Sequence, residues 1–120
     1  MLKDGTGFRK IYIAVGYTDL RRGIDGLAGI IKHEFNLDPF DKNTLFLFCG
    51  RKTDRIKGLL WEGDGFLLLY KRLGTGGFDW PRSENEAIEI TQQQYRMLMD
   101  GFSVVARRPI RELEEPKELF

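Results

Sequence analysis

Apolar side chains fall along this chain in two different rhythms. Leu20, Ile24, Leu27, Ile31 and Phe35 recur at spacings of 4, 3, 4 and 4, one stripe of an amphipathic α-helix whose other faces carry Arg21, Arg22, Asp25 and Lys32. Thr18 or Asp19 is placed to cap it. Before it, Ile11-Tyr12-Ile13-Ala14-Val15 is β-branched and aromatic and is stopped by Gly16, the pattern of a strand. After the turn-rich stretch from Asn36 to Asn43 the period shortens. Thr44–Cys49, Arg55–Glu62 and Phe66–Leu73 then follow as strands, separated by loops short enough for consecutive antiparallel hairpins.

Beyond the flexible Gly74-Thr75-Gly76-Gly77, Phe78–Pro81 is a short extended piece and Ala87–Ile90 a last brief strand. Thr91 with Gln94 three residues later forms a capping box for a second helix. Its apolar stripe is Tyr95, Leu98, Met99 and Phe102, and Gly101 is placed to stop it. The predicted class is α+β: an antiparallel β-meander with a longer amphipathic helix near the N-terminus and a short one near the C-terminus. Residues 1–102 form one domain, and residues 103–120, where apolar periodicity fades into mixed charge, form a solvated tail.

Gly23, Gly26 and Gly29 recur every third residue within the first helical stripe, and each costs about 1 kcal/mol relative to Ala in a helix interior. Close approach of a strand or another backbone to that face would offset the cost. A phosphate-binding loop is the weaker reading, because these glycines lie within the periodic segment and not in a turn before it.

The 120 residues suit a single core. Nineteen basic against eighteen acidic residues leave a net charge of +1, so no global field draws the molecule onto nucleic acid or membrane. Cys49 is the only cysteine and His33 the only histidine. An internal disulfide and the usual zinc sites are thereby excluded, and no cofactor is expected. The longest apolar runs are five residues, too short to span a bilayer, and Met1-Leu2-Lys3-Asp4-Gly5 lacks the pattern of a secretory signal. The expectation is a cytoplasmic protein with no membrane partner.

Charge is organised locally. Arg51, Lys52, Arg55 and Lys57 cluster around the first hairpin loop, and Lys71 and Arg72 close the third meander strand. Alternation places Arg55, Lys57, Leu59 and Trp61 on one strand face. Such cations neutralise phosphates, while Trp61, Tyr70 or Trp80 could stack on a base or meet a partner. A plain solvated sheet face over an aromatic core is the competing reading. Arg21 and Arg22 form a secondary basic site at the helix start.

Catalysis has less support. Ser83 and Ser103 lack a glycine-rich elbow, Cys49 sits in an apolar run, and Asp54 lies at the opposite end of its strand from Glu62 and Asp64. No catalytic and no metal-binding residue is assigned, and a small magnesium-dependent nuclease built on those acids is the least favoured of three readings.

The order of blocks adds a different kind of information. Thr18-Asp19-Leu20-Arg21-Arg22-Gly23-Ile24-Asp25-Gly26-Leu27-Ala28, Asp38-Pro39-Phe40, Phe46-Leu47-Phe48, Arg51-Lys52-Thr53-Asp54-Arg55-Ile56-Lys57, Leu60-Trp61-Glu62-Gly63-Asp64-Gly65-Phe66, Tyr70-Lys71-Arg72-Leu73 and Phe78-Asp79-Trp80-Pro81 closely resemble the TnpB accessory proteins, the second open reading frame of the insertion-sequence-66 family of bacterial mobile elements. Glu62 stands where that pattern has Asp, and Gly58 where a larger apolar residue is common. Gly74-Thr75-Gly76 lacks a charged pair that often follows the Tyr-Lys-Arg-Leu block. The resemblance implies a noncatalytic accessory protein of transposition. Its expected partners are DNA at the element ends and the transposase of the same element. The alternative is a pure protein adaptor, or self-association with a second copy, through an aromatic surface.

Overall fold

The computed structural model describes residues 7–103. Most of the predicted tail and the N-terminal six residues lie outside them. A five-stranded mixed sheet carries the fold: β1 (Lys10–Ala14), β2 (Thr44–Cys49), β3 (Arg55–Trp61), β4 (Phe66–Arg72) and β5 (Ala87–Ile90), in the order β4-β3-β2-β1-β5. The predicted meander is β2-β3-β4, antiparallel throughout. β1 lies parallel to β2, Lys10 beside Thr44 and Ile13 beside Leu47, while β5 runs antiparallel along the other side of β1.

A parallel neighbour needs a crossover, and the helical segment between β1 and β2 supplies it. Helix α1 (Ile24–Gly29) continues as a π-helical turn over Ile30–Glu34. Its wider winding shows in the Phe35 N–H, which donates to Ile30 O at 3.2 Å, five residues back. Asn36 then adopts a left-handed φ of 56° and ends the helix.

The start of α1 differs from the sequence expectation. Asp19 does not cap it. Its carboxylate accepts instead from Arg21 N–H at 3.0 Å, and Arg22 N–H donates to Asp19 O at 3.1 Å, closing a separate turn. The chain is extended at Gly23 and becomes helical only from Ile24. Aspartate serves either geometry, because the same side-chain oxygen can satisfy a helix or an isolated turn. Nor do the glycines admit a neighbouring backbone. A Cβ at Gly23 or Gly29 would meet nothing within 4 Å, and the three atoms nearest one at Gly26 all belong to the side chain of Arg22.

Both sheet faces are covered, and β2 is buried at every position. That explains its unbroken apolar run. On one face Leu27, Ile30 and Ile31 pack against Ala14, Phe46, Phe48 and Leu59. The opposite face carries Ile11, Ile13, Leu45, Leu47, Ile56 and Leu60. Against it pack Phe78, Trp80 and the second helix, α2 (Gln92–Met99), through Tyr95 and Leu98. Gly58 belongs here because an added Cβ would lie 3.1 Å from Leu45 Cδ1 and 3.3 Å from Leu47 Cδ2.

The Phe78–Pro81 segment forms a strap and not a strand. Phe78 N–H donates to Thr53 O at 2.8 Å, Trp80 Nε1–H donates to Ala14 O at 2.9 Å, and Pro81 O accepts from Gly16 N–H at 2.9 Å. Both halves of the predicted capping box form at Thr91 and Gln94. Gly101 turns the chain with φ of 91°, so Phe102 leaves the apolar stripe and is 59% exposed.

Candidate nucleic-acid interface

Helix α1 begins too late to cover the whole of its sheet face. The start of β3 and the end of β4 extend past it. The Gly16–Arg22 loop rises on one side and the β2–β3 turn on the other. Between them lies a groove of about 850 Å³ lined by Tyr17, Thr18, Asp19, Leu20, Arg21, Gly50, Arg51, Lys52, Arg55, Lys57, Leu68 and Tyr70. Its position follows from the parallel pairing: Tyr17 and Gly50 follow the C-terminal ends of β1 and β2, the edge at which open sheets with crossover helices form crevices.

Five cations and one carboxylate line this groove. Lys57 Nζ donates to the carbonyl of Arg22 at 3.1 Å. Arg51 Nη2 donates to Tyr17 Oη at 2.6 Å, with its guanidinium 4.3 Å from the ring centroid. Arg82, outside the lining, braces the turn from behind by donating to Gly50 O at 2.8 Å. The Arg21 guanidinium grips the Asp19 carboxylate through Nε and Nη2 and holds its pKa far below the usual carboxylate range. Arg55 does the same to Asp54 at 2.8 Å and 3.2 Å, lowering that pKa as well. Both acids therefore stay ionised through the neutral range, while Arg51, Lys52 and Lys57 have no carboxylate among the described ion pairs.

The sequence-predicted residues separate into groups. Arg51, Lys52, Arg55 and Lys57 meet in the groove, joined by Arg21 from 30 or more positions away in the chain. Arg22 turns away. It lines a smaller cleft with Ile30 and Glu34 and contributes only its carbonyl to Lys57. On β4, Tyr70 pairs with Lys57 and is 53% exposed, its ring centroid 5.9 Å from the ammonium. Arg72 pairs with Arg55 at the groove's margin. Lys71 pairs with Ile56, so strand alternation directs it to the opposite face.

The two tryptophans lie elsewhere. Trp61, at the far end of β3, makes edge contacts with Phe40 at 5.0 Å and Phe66 at 4.9 Å between centroids. Trp80 is 4% exposed and belongs to the core. Asp54 and the Glu62–Asp64 turn stand at opposite ends of β3, and among the described residues no three His, Cys, Asp or Glu side chains group as a metal site would require.

Composition and strand alternation did not point to Tyr17, Thr18 or Leu68. A usable signal existed for the first two: they follow a strand that ends in a glycine and precede a crossover helix. Cys49 is fully buried in the core on the other sheet face, and burial pushes its thiol up to about 11.

Among the described residues no helix is long and apolar enough to cross a membrane. No solved structure matches the chain. Two curated relatives come from Sinorhizobium fredii (strain NBRC 101917 / NGR234). The uncharacterized protein y4hO is 40% identical over 101 residues, spanning 84% of this chain and 86% of its own. The uncharacterized protein y4jC is 28% identical over 113 residues, spanning 92% and 95%. The model of the IS66 Orf2-like proteins matches residues 9–109, which include every strand, both helices and all the groove residues, and the chain belongs to that family.

Proposed function

We propose that this chain is a noncatalytic accessory protein of IS66 transposition that acts in the bacterial cytoplasm by holding DNA phosphates in the groove between Tyr17 and Tyr70. One observation carries the reading: cations from the pre-helix turn, the β2–β3 turn and β3 converge on a single concave surface flanked by two exposed tyrosines. Lys52, Lys57 and Arg51 supply charge to the phosphates. Arg21 and Arg55 are already engaged by carboxylates and set the walls.

The test is a titration of element-end DNA followed by fluorescence anisotropy at several salt concentrations. With roughly three phosphates neutralised, affinity should fall about 40-fold between 50 and 200 mM salt. Absence of binding at the lowest salt removes the DNA reading.

A second reading rests on the Phe40–Trp61–Phe66 cluster, where Phe40 is 53% exposed. This is the surface an adaptor to the transposase would use. A pull-down with purified transposase in the presence of nuclease separates the two. A complex that survives nuclease and is lost in folded Trp61→Ala supports the adaptor.

A further inference from the structure

The two edges of the sheet are unlike each other. β5 is four residues long and carries the exposed Glu89, features that blunt an edge. β4 is seven residues long and begins with five consecutive apolar or aromatic residues, Phe66–Tyr70, and among the described residues no strand pairs with its outer side. Neither a proline nor a charge interrupts that stretch.

The hydrogen bonding of the β3–β4 hairpin determines which backbone groups are free. Glu62 N–H donates to Gly65 O at 2.9 Å, and Leu73 N–H donates to Asp54 O at 2.7 Å. In an antiparallel ladder alternate residues turn inward. Leu67, Leu69 and Lys71 therefore bond to β3, while the N–H and C=O of Phe66, Leu68, Tyr70 and Arg72 point away from the sheet.

Charge lies only at the two ends of this edge. Glu62 and Asp64 occupy the turn before β4, both exposed, and Lys71 and Arg72 close the strand. An antiparallel strand with the same sequence reverses that order and brings basic end to acidic end. Centred on Leu69, such a pairing sets Phe66 opposite Arg72 of the second copy and Leu68 opposite Tyr70 of the second copy. All four outward residues then find partners.

We propose that β4 is a self-association edge, and that two copies of this chain join antiparallel through it about a twofold axis at Leu69. The joined sheet has ten strands. Because paired residues share a face, the two grooves lie on the same side of the join, with the Tyr70 rings on either side of the axis.

Analytical ultracentrifugation of the full chain tests the pairing without DNA, so its failure leaves the DNA reading standing. A concentration-dependent rise from 13.9 kDa to twice that mass is expected. Leu68→Pro removes an outward N–H that β3 does not use, and should give a folded monomer by circular dichroism. Asp64→Lys and Arg72→Glu provide an independent route. Each alone should weaken the dimer about tenfold through two reversed contacts, whereas mixing the two variants should restore wild-type affinity, because both contacts of the mixed dimer are again attractive. A monomer at all concentrations up to millimolar overturns the proposal, whether the edge is then free, covered by the rest of the chain or kept for a transposase strand. So does a dimer insensitive to the charge reversals and to Leu68→Pro, or an assembly that grows beyond two copies.

Discussion

Lys57 on β3 donates its ammonium to the carbonyl of Arg22 at 3.1 Å, a contact across 35 positions of sequence that ties the sheet to the turn in front of α1. A helix that starts late leaves this turn without helical hydrogen bonds, and the lysine replaces one of them. Lys57→Met keeps the aliphatic stem and removes the donor. We expect a loss of about 1 kcal/mol in urea unfolding, together with weaker DNA binding. An unchanged denaturation midpoint would show that the bond contributes nothing.

Strand alternation makes a sharper comparison at the other basic positions. Arg51 and Lys52 line the groove, and Lys71 lies on the opposite face of β4. Lys52→Ala should reduce the dependence of log affinity on log salt by about 1, the contribution of a single phosphate contact. Lys71→Ala should leave that slope unchanged. Equal effects from the two substitutions would mean that the binding surface wraps both faces of the sheet and is not the groove.

The meander and the cap of α2 were readable from the sequence because their causes are local: period-two alternation, short glycine-containing turns, and Thr91 with Gln94 three residues on. The parallel pairing of β1 with β2 depends on how a distant helix packs, and nothing within Ile11–Val15 encodes it. The groove was half readable for the same reason. Arg51 to Lys57 are close in sequence, whereas Arg21 and Tyr17 reach them only through the crossover. Trp80 shows the limit of counting aromatics, since an indole that bonds to Ala14 O in the core has the same composition as one on a surface.

Cys49 yields a pH prediction with a definite sign. Burial raises its thiol from 9.0 to about 11 in the folded chain, so the fold favours the neutral form. The resulting stability is fully present below the unfolded value and is lost as pH rises through the folded one. Urea midpoints should therefore fall more steeply between pH 9 and 11 for the wild type than for Cys49→Ala. At neutral pH, alkylation by iodoacetamide should be slow in the native protein and fast in urea. Rapid native labelling would contradict the burial of this thiol.

Gly16 tests how the groove's upper wall is held. Its φ of 92° is left-handed, and an added Cβ would lie 2.5 Å from Asn85 Oδ1. Its N–H also donates to Pro81 O at 2.9 Å, so the residue is tied to the strap, and an added side chain must displace the end of Asn85. Gly16→Ala should destabilise the protein by roughly 1–3 kcal/mol, part of it from backbone strain and part from the clash. Gly16→Ala combined with Asn85→Ala separates the two. The double variant should recover the steric part alone and stay below Asn85→Ala in stability. DNA affinity should follow, because Tyr17, which holds Arg51, is the next residue in the chain. Full recovery in the double variant would mean that the left-handed turn costs an alanine nothing, and that Tyr17 is positioned by Arg51 and not by the backbone behind it.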